Sequence, residues 1–354
     1  MNPIEAGLRR VDQAQQRHVV TGFAYGVIKK YGDDNGGVLV TNLAYCAFVS
    51  LFPLLLILVT ILGLVASFDP ALKQEALDAV AKQVPLIGQQ LTGNVHELRR
   101  SSIIGLVVGL AVLAWGATRL AQAGIFTMEQ AWNVPGPARP GYLPRLARSA
   151  TFLGVLGLGV IATTGLAGLD AFGQHSAAFV VVSEALAVVV NAGMYVIGFR
   201  VLTPAGIALR QLVPGAIVGG VAWTVLQALG TYLVRHALHG ASAYGVFATV
   251  LGLLAWVYLA VELTVYAAEI NVVLARRLWP RSIVQPPLTE ADRASMAMQA
   301  LQNQRRAEQQ VKVTFSDRPA GTEPDAGTPQ RPEDILGEER PQEAHPDSSR
   351  RDPG

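Results

Sequence analysis

The sequence predicts an all-α protein that crosses a membrane several times as a bundle of six transmembrane helices. Six long apolar segments lie between residues 35 and 284, and no Asp, Glu, Lys or Arg occurs from Asn35 to Phe68. A bilayer core about 30 Å thick is crossed by roughly 20 apolar residues in a helix. The chain is also only 15% charged, whereas soluble domains average about 25%. A polytopic membrane protein follows from these two observations.

The composition divides the chain into three parts. Residues 1–37 form an N-terminal segment with a short amphipathic helix over Val19–Tyr31, which lies on the membrane surface. Residues 38–284 form the transmembrane domain, and residues 285–354 form a tail. An amphipathic helical segment over 70–100, outside the cytoplasm, follows the first span. The predicted spans are 38–68, 103–132, 149–169, 179–202, 212–234 and 246–275.

The tail begins with a polar helix and then changes character. Thr289 and Asp292 have the spacing of a capping box, which predicts a helix from Thr289 to Val313. After Ser316 the sequence is rich in Pro, Glu and Arg and has few large apolar residues. Such a composition buries too little apolar surface to fold, so we expect disorder there.

Positive residues predict the orientation of the bundle. The segments on one side (1–37, 134–149, 200–210 and 276–281) hold 13 Lys and Arg residues, and those on the opposite side hold 5. Because positive residues favour the cytoplasmic side, both termini are expected in the cytoplasm. An even number of spans agrees with this orientation.

Two opposite charges lie at matched depth in the second and sixth spans. Arg119 and Glu262 each lie about 16 residues from the external end of their span. An unpaired charge inside a bilayer costs several kcal/mol, and pairing reduces this cost. We therefore expect Arg119 and Glu262 to approach each other or to line a shared polar cavity. The two residues would then either form part of a transport path or have a purely structural role as an ion pair.

Further polar residues in the spans extend this candidate pathway. Glu269 lies seven residues after Glu262 on nearly the same helix face. Asn271 and Asn42 are expected at a similar depth near the cytoplasmic edge, and Asn191 lies near the middle of the fourth span. Together they could line a polar path. Taken singly, each amide is expected to form an interhelical hydrogen bond rather than to bind a ligand.

Proline and glycine mark kinks and close helix contacts. Pro53 lies near the middle of the first span and predicts a kink, because its ring removes a backbone hydrogen bond. Pro214 suits the first turn of a helix. Two Gly-x-x-x-Gly motifs predict close helix packing. They are formed by Gly105 with Gly109 and by Gly215 with Gly219.

Little in the sequence indicates catalysis, and we predict that the protein is not an enzyme. The six histidines have no His-x-x-x-His spacing, the single cysteine is Cys46, and no Walker A motif occurs. We therefore expect no metal and no cofactor. A net charge of +2 without a basic domain also argues against a nucleic-acid partner.

Several segments resemble the YihY/BrkB family of bacterial inner-membrane proteins over about residues 20–280. The resemblance is carried by the sequence Ser-Leu-Phe-Pro-Leu-Leu-Leu at residues 50–56 and by Val213–Ala216, Trp223, Tyr232, Tyr244–Gly245 and Ala268–Asn271. In the family a glycine usually precedes the last motif, and Ala267 stands there in this chain. The resemblance implies six transmembrane helices with cytoplasmic termini. The family's older ribonuclease BN label does not suit this chain, which has no histidine cluster.

Two functions from different classes follow. The first is a transporter or exporter of a lipid-like or other envelope-related solute, whose partners are the lipid bilayer and that solute. The second is a non-transporting membrane scaffold that binds a protein partner through the segment 70–100 or through the tail. A continuous polar cavity in the bundle favours the transporter, and a bundle closed by Leu and Gly packing favours the scaffold.

Overall fold

The computed structural model describes residues 3–65, 103–170, 177–237 and 245–315. This part of the chain is helical and contains no β-strand. Contacts divide the whole chain into two units, Met1–Val313 and Thr314–Gly354. All the α-helices described lie in the first unit, and they are α1 (Pro3–Arg17), α2 (Val19–Asp33), α3 (Gly36–Val65), α4 (Ile103–Ala131), α5 (Tyr142–Asp170), α6 (Ala177–Leu202), α7 (Val213–Ala237), α8 (Gly245–Arg276) and α9 (Glu290–Gln302).

The six longest of these helices, α3 to α8, coincide with the six predicted spans. Within the described residues, three of them contain stretches long and apolar enough to cross a membrane, namely Val181–Leu202, Val213–Gly230 and Val250–Arg276. A shorter apolar stretch, Gly36–Leu51, lies in α3. An all-α membrane protein is thereby confirmed, and the count of six spans stays a prediction.

The six long helices close into a ring. Each packs against the next one in chain order, from α3 to α8, and α8 returns to pack against α3. Helices α4 and α8 also touch across the ring. Short connections favour such antiparallel neighbours in helix bundles.

A cluster of buried apolar side chains lies at one end of this ring, among the residues whose side chains are described. Its members include Val27 of α2, Ile125 and Trp132 near the end of α4, and Val273 and Leu278 near the end of α8. Several apolar side chains of α6 and α7 are exposed, namely Val181, Val189, Val225 and Leu229. Lipid can cover these exposed side chains, whereas apolar groups outside the bilayer must be covered by protein.

Helices α1, α2 and α9 cover that end of the ring and differ from the sequence prediction in three respects. The N-terminal segment forms two helices where one was predicted, and α2 buries Gly22, Gly26 and Lys30 against protein. A turn follows α2, with Asn35 at a φ of 54°. The predicted capping box of α9 is also present at Thr289, but this helix ends at Gln302 rather than at Val313.

Several predicted features lie outside the described residues or side chains. The amphipathic segment 70–100 and the tail after Phe315 are outside the described residues. Pro53 lies within the single helix α3, which continues through it from Gly36 to Val65. Gly105 and Gly109 lie in the first turns of α4, and their contacts are outside the described set.

Candidate functional site

A buried charged triad lies where α2 meets α8 and the end of α4. The Lys30 Nζ forms an ion pair with the Asp34 carboxylate, donates a hydrogen bond to the Ala131 carbonyl at 3.0 Å, and lies 3.6 Å from Glu269 Oε2. The side chains of Lys30 and Glu269 are both 0% exposed. We call Lys30, Asp34 and Glu269 the acidic triad.

The acidic triad holds two carboxylates for one ammonium group. The Glu269 carboxyl group interacts with both the Asp34 and the Lys30 side chains. Burial raises the pKa of Asp34, although Lys30 opposes this shift. Because a buried charge needs a counter-charge to offset its desolvation, Lys30 stabilises one carboxylate well and leaves the second poorly compensated.

Next to the acidic triad, Asn271 connects α8 to the start of α7. Its Oδ1 accepts a hydrogen bond from the Gly215 backbone nitrogen at 2.7 Å, while its Nδ2 is buried without a partner among the described residues. A Cβ at residue 215 would lie 1.9 Å from the Ala267 carbonyl oxygen. Only glycine allows this approach, which brings a backbone donor to the amide. Pro214 occupies the first turn of α7, where its missing N–H costs nothing.

The same face of α7 makes two further close contacts with α6. A Cβ at Gly219 would lie 2.9 Å from the Tyr195 ring, and one at Gly220 would lie 2.5 Å from the Ala192 backbone nitrogen. Such contacts are typical of small residues at a membrane helix interface. They bring the backbones of α6 and α7 close together at this level.

A second buried carboxylate, Glu129 at the end of α4, has the opposite surroundings. Its side chain is 0% exposed and lies 3.6 Å from Arg145 Nη2 and 3.9 Å from Arg139 Nε. Arg148 also acts on it electrostatically. Three guanidinium groups therefore surround one carboxylate, and we call these four residues the arginine cluster.

A cavity of about 300 Å³ lies between α5, α6, α7 and α8. Three polar side chains contribute to its otherwise apolar wall. Asn191 donates a hydrogen bond from Nδ2 to Thr224 Oγ1 at 3.0 Å, and the Tyr195 and Thr264 hydroxyl oxygens are 2.9 Å apart. Asn191 thus forms the interhelical hydrogen bond expected of it. The apolar lining includes Phe152, Val155, Leu156, Gly159, Met194, Gly198 and Trp223.

The predicted ion pair between Arg119 and Glu262 is not seen among the described residues, and a shared polar cavity lined by both stays a prediction. The exposed Arg119 guanidinium lies 5.4 Å from the centroid of the Trp115 ring, and these two charged residues form no ion pair in the described part of the chain. Glu262 is half-buried near Tyr31, and burial together with this carboxylate raises the pKa of Tyr31 to about 12. The two charges therefore have different neighbours, Trp115 for Arg119 and Tyr31 for Glu262.

The remaining members of the predicted polar path separate into two groups. Glu269 and Asn271 lie buried beside each other in the chain, at the end of the ring covered by α2. Asn42 is exposed on α3, and Asn191 lines the apolar cavity. The structure therefore does not join all the predicted residues into one path.

Sequence reasoning missed the polar contacts that hold α9 against the bundle. Asp292, whose side chain is 0% exposed, forms ion pairs with Lys29 at 2.9 Å and with Arg281 at 2.5 Å. Burial would raise the pKa of Asp292, but hydrogen bonds from Arg281, the Ser282 backbone, Lys29 and Thr289 outweigh it and lower the pKa. The capping-box spacing was the one sequence signal that singled out Asp292.

Comparison with known proteins identifies one family. The family model described as Virulence factor BrkB matches residues 27–289, which is more than half of the chain. The matched range contains the six long helices, the acidic triad and the arginine cluster. No curated protein and no solved structure matches the chain.

Proposed function

The chain belongs to the Virulence factor BrkB family, and on this premise we propose that it moves a lipid-like solute of the cell envelope. It would do so as a six-span protein of the inner membrane with both termini in the cytoplasm. The proposed role is transport and not catalysis, and the partners are the bilayer and the solute. The long apolar helices and the surplus of Lys and Arg on one side support this assignment.

The cavity between α5, α6, α7 and α8 is the observation that carries the proposal. It combines an apolar wall with a few polar side chains, which is the usual character of small-molecule sites. Asn191, Tyr195 and Thr264 supply these polar groups. They lie in α6 and α8, two helices that are apolar enough to cross a membrane. A cavity of this composition suits an amphiphile better than an inorganic ion.

Two glycines of α6 allow a matched test of the cavity. Gly198 lines it, and a Cβ there would meet only Phe152 Cε2, at 3.8 Å. Gly193 lies on the same helix, does not line the cavity, and would have no atom within 4 Å of its Cβ. Gly198→Val therefore narrows the cavity. Gly193→Val changes the helix propensity by the same amount but leaves the cavity unchanged.

The experiment compares the lipids of separated inner and outer membranes in a deletion strain complemented with each form. We expect the deletion to redistribute at least one lipid class, and we expect Gly193→Val but not Gly198→Val to restore the distribution. Equal amounts of both variants in the membrane are the control. If deletion redistributes no lipid, the proposal of lipid transport is wrong.

The second candidate, a membrane scaffold, is favoured by the tight packing of α7. Gly215, Gly219 and Gly220 bring α7 against α8 and α6 so closely that the bundle is closed there. Truncation of the tail separates this candidate from the transporter, provided that α9 is retained for its ion pairs. A chain ending at Phe315 should keep transport activity, whereas a scaffold that acts through the tail should lose its partner.

A further inference from the structure

We propose that Arg145 and Arg148 bind the anionic headgroup of an amphiphile whose apolar tail occupies the cavity beside α5. The inference rests on the proposed function and specifies the chemical class of the solute. It is carried by the continuity of one face of α5, by the charge balance of the arginine cluster, and by buried donors that lack acceptors.

One face of α5 joins the arginines to the cavity. Arg145, Arg148, Phe152, Val155 and Gly159 follow one another at spacings of three and four residues, which places them on the same side of a helix. The last three line the cavity. With a rise of about 1.5 Å per residue, the face runs for about 16 Å from Arg148 to Gly159. A ligand with a charged end and an apolar tail matches this arrangement.

The arginine cluster carries more positive charge than its carboxylate can offset. Glu129 balances one of the three guanidinium groups, and its contacts to Arg145 and Arg139 are 3.6 and 3.9 Å long. The formal charge of the cluster is therefore +2. Excess positive charge that is partly shielded from water favours an anion at this place.

Two of the guanidinium groups also have buried nitrogens without partners. Arg145 Nε and Arg148 Nη1 are buried and have no hydrogen-bond partner among the described residues. Buried donors are normally satisfied, and a phosphate or carboxylate is the acceptor that suits the guanidinium fork. Both a lipid headgroup and a free phosphate offer this chemistry, but only the lipid also fills the apolar cavity.

The test measures binding to the purified full-length protein by native mass spectrometry. The probes are phosphatidylglycerol, phosphatidylcholine and inorganic phosphate. The variant Arg145→Gln/Arg148→Gln is compared with Arg200→Gln/Arg210→Gln, which removes two exposed arginines from the same end of the bundle. We expect the first variant to lose about tenfold or more of its affinity for phosphatidylglycerol, and we expect the second to stay within about twofold.

Further outcomes are equally decisive. Gly198→Val should weaken phosphatidylglycerol binding and leave phosphate binding unchanged, and this comparison needs no change to the arginines. Equal affinity for phosphatidylcholine and phosphatidylglycerol would overturn the proposal. So would competition by inorganic phosphate combined with no effect of Gly198→Val, because the ligand would then be a free anion.

The proposal and the transport function fail in different experiments. Arginine-dependent binding of phosphatidylglycerol without lipid redistribution in the deletion strain would leave the headgroup site standing and remove the transport function. Redistribution of lipids in the deletion strain without a binding preference for anionic headgroups would leave the transport function standing and remove the headgroup site.

Discussion

Glu269 and Glu129 are both buried carboxylates, but the charged groups around them have opposite net charge. Each lies near the end of a long helix and is 0% exposed. Glu269 faces one lysine and a second carboxylate, whereas Glu129 faces three arginines. One site therefore has an excess of negative charge and the other an excess of positive charge.

This difference shows that neighbouring helices decide what a buried acid does. Helix α2 brings Lys30 and Asp34 to Glu269, and the start of α5 brings Arg145 and Arg148 to Glu129. Removing the charge of Glu269 reduces the excess of negative charge at its site. Removing the charge of Glu129 increases the excess of positive charge in the arginine cluster. The same Glu→Gln change should thus have different consequences at the two sites.

The largest effect is expected for Lys30→Met. This change leaves Asp34 and Glu269 buried together without a cation, and uncompensated buried charges of this kind cost about 3–5 kcal/mol. Thermal unfolding in detergent should show a marked loss of stability. Lys29→Met is the matched control and should cost less, because Lys29 is 18% exposed and its partner Asp292 keeps Arg281. Equal effects of the two changes would contradict the importance of the acidic triad.

An intermediate effect is expected for Glu129→Gln. Three arginines then lose their counter-charge, and we expect a loss of stability of about 1–3 kcal/mol. About a quarter of the Arg139 and Arg145 side chains is exposed, so water reduces the penalty. The variant should also bind phosphatidylglycerol more tightly than the wild type in native mass spectrometry. Weaker binding would argue against an anion site in the cluster.

A small effect is expected for Glu269→Gln. The amide keeps the shape of the side chain and removes one of two negative charges, while Lys30 retains its ion pair with Asp34. Unfolding measured as for the other variants should change by less than about 1 kcal/mol. If Glu269→Gln destabilises the protein as much as Glu129→Gln does, the contrast between the two sites is wrong.

The smallest effect is expected for a change of pH within the neutral range, and it concerns Asp292, a third buried carboxylate, which is paired with Lys29 and Arg281. Its pKa is lowered on folding, so its stabilising contribution is complete above the unfolded value of about 3.9 and is lost as the pH falls through the folded value. The protection factors of the α9 amides, in which the intrinsic pH dependence of exchange is divided out, should therefore be constant between about pH 5 and 8 and should fall in stronger acid. Asp292→Asn should exchange faster throughout this neutral range, and unchanged exchange would show that Asp292 does not hold α9.

Much of the fold was predictable because it depends on local composition. The long apolar segments marked the helices α3 to α8 to within a few residues at most ends, since a helix in lipid must satisfy its own backbone. The capping box at Thr289 marked the start of α9 for a similar local reason. Helix α1 was missed although Ile4, Leu8 and Val11 have helical spacing, and α9 ends at Gln302, well before the predicted Val313.

The candidate site was less predictable. Depth along a helix can be counted in the sequence, but the direction of a side chain around the ring depends on how neighbouring helices pack. Arg119 and Glu262 share a depth and face different neighbours. Lys30, predicted at the end of a surface helix, instead lies fully buried between α2, α4 and α8.

The amino-acid sequence by itself determined the helical membrane class, the positions of the long helices and the side with excess positive charge. These properties come from hydropathy and charge along the chain, which act locally. Only the tertiary structure decided which carboxylate meets Lys30, which meets the arginines, and which helices enclose the apolar cavity. The physical reason is that pairing and burial depend on residues far apart in the chain, and only packing brings those residues within reach.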